Sequence, residues 1–263
     1  MSGREPAQRS VGQASPVGSH DILRRRLGIV LPLAAAASAG AVALLGSGCA
    51  LIEPASGEAI EPPAQPPTAR RPEAGRVWRY HEIDLFSGRI SAEVSARVSA
   101  TDTESTRIEV ATADGQQRGI EVWVDPRSLR ADPYPPPAMS FEEPVPLLPP
   151  LLRPGSTAWG GSNYRSPGDP LRYWWSVRVR ALRWERVLVP AGRFETLVVE
   201  RQIAFEHPDR FRTDSRRAEL LWWAPAVNRW VRRDCRETYL HVSDLDRLRE
   251  RRTEIWFSQQ LLG

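Results

Sequence analysis

The stretch Val187–Glu200, VLVPAGRFETLVVE, limits the fold more than any other. Val187, Leu188 and Val189 form an apolar run that stops at Pro190. Proline has no N–H and a fixed φ, so it fits the end of a strand and not its centre. Gly192 then supplies the positive φ of a tight reversal. Phe194 opens a second run, in which Leu197, Val199, Ile203 and Phe205 share one side at period two. Strand, turn and strand make an antiparallel hairpin.

The same period governs most of the chain. Strands are expected over 77–85, 90–100, 106–112, 118–125, 171–181, 216–224, 230–242 and 248–261. In the second, Val94, Ala96 and Val98 oppose Ser95, Arg97 and Ser99. In the fourth, Ile120, Val122 and Val124 are expected inside. Leu171, Tyr173, Trp175, Val177, Val179 and Ala181 are expected to share one side, and the apolar side flips at Leu182 and Trp184. A one-residue slip exchanges faces, so a bulge is expected near Ala181–Arg183. Ser243–Arg247 is expected to be a hairpin turn. Gly75 and Gly155 open similar stretches, a hint of a duplicated half. No strand is followed by a long amphipathic helical pattern, which argues against a parallel α/β sheet.

VPAGRFETLVVER resembles the V-P-A-G-x-F signature of bacterial envelope domains of the TapB-like type. LWWAPAVNRWVRR (Leu221–Arg233) stands where that type has a second motif, with Asn228 in place of the usual Gly. Asn tolerates left-handed backbone, so the turn is expected to survive. The resemblance covers about residues 155–260. It implies an all-β fold, a curved antiparallel sheet or half-barrel similar to LolA and LppX. It brings no catalytic residues and no cofactor.

The N-terminus carries an address. Arg24-Arg25-Arg26 precede the uncharged run 27–48, which has the length and composition of a signal peptide or one membrane span. Leu45-Gly46-Ser47-Gly48-Cys49 follows and resembles a bacterial lipobox, whose cysteine is lipidated. Residues 1–48 are therefore expected to be a lipoprotein signal peptide, with Cys49 anchored in the membrane by several acyl chains. Ala50, in place of an Asp, favours the outer membrane, with the domain facing the periplasm. An uncleaved helix in the inner membrane is the alternative. The arginines also suit twin-arginine export.

Residues 49–74, with six Pro after the cysteine, are expected to be an extended tether. Residues 75–263 are then one β-rich domain. It contains a Pro-rich insert over 132–154, with nine Pro, expected to be an ordered loop laid over the sheet or across a mouth. With Cys49 lipidated, Cys235 is alone and is expected to be a packed thiol.

The formal charge of +4 does not indicate nucleic acid. The first 48 residues hold five Arg and two acids, and the remainder is nearly neutral, with no Lys anywhere. Arg210–Arg217, interleaved with Asp209 and Asp214, is expected to be a solvated charge face. The sequence lacks HExxH, GxSxG, P-loop and dinucleotide patterns, and an enzyme is not expected.

The ten Trp all follow residue 75. In each of the pairs Trp174/Trp175 and Trp222/Trp223, one ring must face away from the core unless both faces are covered. These four are the candidate ligand- or partner-binding residues. Two readings stay open. One is an anchored domain that binds an apolar ligand or lipid. The other is a structural or assembly lipoprotein that docks on another envelope protein and has no ligand cavity.

Overall fold

The structure is a computed structural model that describes residues 57–242 and 250–263. The signal segment, Cys49 and the Ser243–Arg247 turn lie outside the described residues.

Thirteen strands follow one another: β1 (Glu58–Ala59), β2 (Val77–Asp84), β3 (Arg89–Thr101), β4 (Thr106–Thr112), β5 (Gln117–Asp125), β6 (Ser128–Asp132), β7 (Met139–Pro146), β8 (Thr157–Arg165), β9 (Tyr173–Val189), β10 (Gly192–Phe205), β11 (Arg212–Ala224), β12 (Arg229–His241) and β13 (Glu250–Leu261). No helix occurs among the described residues. Each strand from β2 onward pairs antiparallel with the next, β13 pairs with β2, and β8 pairs with β9. The sheet therefore closes into a twelve-stranded barrel, and closure removes the exposed edges that an open sheet would leave. β1 adds two residues to β9.

Short Asx turns join the first strands. Asp102 Oδ1 accepts the N–H groups of Glu104 and Ser105, and Asp125 Oδ1 that of Arg127. The hairpin over Val187–Glu200 forms as expected, and its strands extend further: β9 runs unbroken for 17 residues. The expected bulge is present. Val198 pairs with Arg183 but Val199 with Ala181, which leaves Leu182 unpaired. Asn228 has φ 55°, the left-handed value that its turn needs.

Three expectations are corrected. Part of the Pro-rich insert is strand β7. Proline limits it without excluding it, since Pro144 and Pro146 cannot donate and the β7–β8 ladder has only two pairs, Ser140–Arg165 and Phe141–Tyr164. Residues 57–74, assigned to the tether, lie against the barrel as a strap. Ile60 N–H donates to Trp184 O, Pro72 is buried, and Arg70 is hydrogen-bonded to Asn228. In β5 the inward side is Glu121 and Trp123, while Ile120 is exposed. The Glu121 carboxylate meets Arg229 at 2.7 Å and accepts the Trp123 indole N–H, so a buried ion pair outweighs the hydrophobic alternation.

Both ends of the barrel are covered. One end carries the turns at 102–105, 126–127, 190–191 and 225–228, and the strap crosses it. Arg71 Nη2 donates to Thr103 O at 3.1 Å and to Val124 O, and Gly75 N–H to Val98 O at 2.8 Å. Leu147, Leu148 and Leu152 are buried at the same end. The interior beneath holds Trp78, Trp123, Trp184, Trp223 and Trp230. The opposite end is the mouth.

Candidate functional site

The mouth is built around the loop 133–138, which the sequence drives inward. It is too rich in Pro to pair as a strand, and its carbonyls need donors. Buried arginines supply them. Arg217 Nη2 donates to Pro135 O and Pro136 O, each at 3.3 Å, and Arg233 Nη2 to Tyr134 O at 3.2 Å. Tyr134 is the plug of this loop. Its hydroxyl donates to Glu82 Oε1 at 2.9 Å, its ring lies 5.5 Å from that of Phe257, and the Arg118 guanidinium stands 4.3 Å over it. Arg118 and Gln259 complete the Glu82 carboxylate at 3.1 and 3.0 Å.

Under the plug lies a charged layer. Glu219 on β11 receives Arg201 from β10 and Arg233 from β12, and all three are buried. Beside them Arg217 pairs with Glu237 at 2.8 Å. Arg217 was expected on a solvated face; its strand turns it inward, where Glu237 and the plug carbonyls satisfy it. Burial opposes ionisation of Glu219, but Arg233, Arg201 and Arg217 outweigh it and hold the carboxyl at about 2. Tyr80, buried in the same region, is pushed up to about 12. Burial also pushes the Cys235 thiol up, so it is a packed thiol and a poor nucleophile.

One small internal space lies beneath the plug, lined by both polar and apolar side chains. An internal void of about 20 Å³ is lined by Tyr80, Glu121, Asp132, Arg229, Arg233 and Gln259 among others. That is room for roughly one water. Above the plug a cleft of about 660 Å³ opens to solvent, lined by Gln117, Arg118, Pro136, His207, Arg212 and Glu254 among others. Its charges are matched: Arg212 meets Glu254 and, at 3.2 Å, Asp209. Burial and then the neighbouring Arg212 lower His207 to about 4, so it is neutral at pH 7. The cleft offers hydrogen bonds, a neutral imidazole and the apolar sides of Pro136, Pro137 and Ile255 to a partner surface. No group of three or more His, Cys, Asp or Glu side chains suited to a metal occurs among the described residues.

The four candidate Trp are not brought together. Trp175 is buried against Phe141, with ring centroids 4.8 Å apart, and Trp223 is in the core. Trp222 lies on the opposite face of the wall from Leu221 and is still fully buried. Its indole N–H reaches the Glu185 carboxylate, and Gly57 of the strap sits beside that carboxylate. Both faces are thus covered there, by the strap and not by the Pro-rich insert. Only Trp174 is open to solvent, at 49 % exposure. Sequence reasoning missed Trp159, 73 % exposed on β8. The signal available was its polar and glycine-rich setting, Thr157-Ala-Trp-Gly-Gly-Ser162, which also hid the strand itself.

No protein-family model matches this chain, and no curated protein matches it. Two solved structures are similar to it. One is from Bacteroides fragilis and is described as an exported protein with a YmcC-like fold. It has 15% sequence identity and a TM-score of 0.44, over 74% of this chain and 97% of that one. The other, from Parabacteroides distasonis, is described as a lipoprotein. It has 13% identity and a TM-score of 0.46, over 75% of this chain and 98% of that one.

Proposed function

We propose that this chain is a membrane-anchored envelope lipoprotein whose closed barrel is a rigid docking module for another envelope protein, with the mouth cleft as its contact surface. One observation carries the reading: the space in which a carrier would hold an acyl chain is occupied by Arg201, Arg217, Glu219, Arg233 and Glu237, all buried. A paired charge layer resists an apolar guest, because separating or burying such pairs against hydrocarbon costs several kcal/mol per ion. The sequence readings of an apolar ligand and of assembly therefore divide in favour of assembly. The cleft is at the far end of the barrel from the strap, so an anchor at Cys49 leaves it uncovered.

The test joins two measurements on the full chain extracted from an envelope fraction. Native mass spectrometry is expected to show the lipidated chain without an additional lipid. A photo-cross-linker at Gln117 is expected to capture one envelope protein, and Arg212→Ala with His207→Ala to reduce the yield. A stoichiometric second lipid, or cross-links indifferent to the cleft variant, would remove the reading.

A further inference from the structure

The exposed Trp residues define a second surface, away from the mouth. On the outer face of β8 and β9, Trp159 pairs with Arg178 and Trp174 with Asn163. Trp159 is therefore four residues from the partner of Trp174, roughly 13 Å along the strand. Between them stand Gly161 and Ser176, a paired position with almost no side-chain bulk. Arg178 lies 5.6 Å from the Trp159 ring, donates to Gln202 Oε1 at 2.8 Å and stands 3.9 Å from the Glu200 carboxylate. Arg180, next along the same face, is exposed and makes no ion pair among the described residues. Flat backbone, two open indoles and arginines on one strip are what the headgroup zone of a bilayer accommodates. The indole buries its apolar body and keeps its N–H wet, and arginine pairs with lipid phosphate.

The reach of the anchor, and not the direction of the antiparallel β1 strand, bears on what this strip meets. The strap begins on the same strand: Glu58 pairs with Arg186 of β9, and Ile60 N–H donates to Trp184 O. Arg186 is eight residues from Arg178, roughly 26 Å along β9. Cys49 is eight residues before Gly57, and eight residues span at most roughly 28 Å. Resting on the lipid-anchor reading above, we propose that the β8–β9 flank lies on the leaflet that holds the anchor, with Trp159 and Trp174 in the headgroup zone and Arg180 on anionic phospholipid. The barrel then lies along the membrane, and its mouth opens sideways instead of straight outward.

The test uses the full lipidated chain reconstituted into vesicles of phosphatidylethanolamine and phosphatidylglycerol, the latter brominated on its acyl chains. Most Trp are buried in the barrel and far from lipid, so bromine quenching reports the exposed pair. The expected result is co-flotation with vesicles, quenched Trp fluorescence, and loss of that quenching in the Trp159→Phe/Trp174→Phe chain. Both residues are exposed, so the variant keeps its fold. A chain that floats but is not quenched, as when a second copy or a protein covers the strip, overturns the flank and leaves the anchor standing. Quenching that persists in the double variant also overturns it. A chain that does not float removes the anchor reading, and this proposal with it.

Discussion

Gly75 and Gly155 occupy equivalent points of two six-strand halves. Gly75 N–H donates to Val98 O at 2.8 Å and Val98 N–H to Arg76 O at 2.9 Å; Gly155 N–H donates to Ala181 O at 2.9 Å and Ala181 N–H to Ser156 O at 2.9 Å. The registers agree as well: Val77 faces Arg97 as Thr157 faces Arg180. The barrel is thus two consecutive six-strand meanders, β2–β7 and β8–β13, joined at both seams.

The equivalence has an energetic consequence. The two glycines have φ of 84° and 85°, and nothing lies within 4 Å of an added Cβ at either. Alanine therefore meets only the left-handed backbone penalty, about 1–2 kcal/mol. Gly75→Ala and Gly155→Ala are expected to lose about that amount each in urea unfolding, equally and additively. A loss at one position without the other would refute the equivalence.

Glu219 is the hinge of the charged layer. Replacing it by Ala leaves Arg201 and Arg233 buried without their shared carboxylate, which costs about 3–5 kcal/mol. Glu219→Gln keeps the volume and an acceptor and is expected to cost less. Chemical denaturation at neutral pH measures both. A Glu219→Ala chain within about 1 kcal/mol of the parent would mean the layer is not closed to water.

The strands were legible wherever alternation was apolar against polar, as in β3 and the first half of β9. Reading failed where the interior is itself charged. Arg217 and Glu121 look like surface residues by type, and only the partners that the closed sheet brings to them, Glu237 and Arg229, make them interior. It failed again at β6, which is only five residues long, and at β7 and β8, whose Pro, Gly and Ser carry little strand signal and which closure holds in place. Of the candidate site, only the Pro-rich insert was legible, as a loop across a mouth; Trp174 was legible as an open ring but lies on the β8–β9 flank. The cleft joins residues from 116 to 255 and has no local pattern. Trp222 was misjudged because the strap that covers it reads as a linker.

His207 links stability to pH. Its folded value, about 4, is below the unfolded 6.5, so the unfolded chain binds the proton more readily. Stability is then full above about pH 6.5 and is lost as pH falls toward 4. The side chain is partly open to solvent, and the loss is expected to be about 1–2 kcal/mol after screening. His207→Gln is expected to flatten thermal stability across this window. An unchanged slope in the variant would assign the titration elsewhere.

Asn228 performs two tasks that one substitution separates. Its backbone takes φ 55°, which glycine adopts more readily. Its side chain holds the strap at both polar atoms, with Oδ1 accepting Arg70 N–H at 3.0 Å and Nδ2 donating to Arg70 O at 2.7 Å. Asn228→Gly therefore eases the turn and releases the strap. The two hydrogen bonds are exposed, so their net loss is about 1 kcal/mol, partly offset by the relaxed turn. Global stability is expected to change little. Amide exchange in residues 60–74 is expected to quicken, while β11 and β12 keep their protection. Asn228→Ala is expected to show both effects, a looser strap and a strained turn. If exchange in the strap is the same in all three chains, Asn228 serves the turn only, and the strap is held by Arg71 and by its pairing with β9.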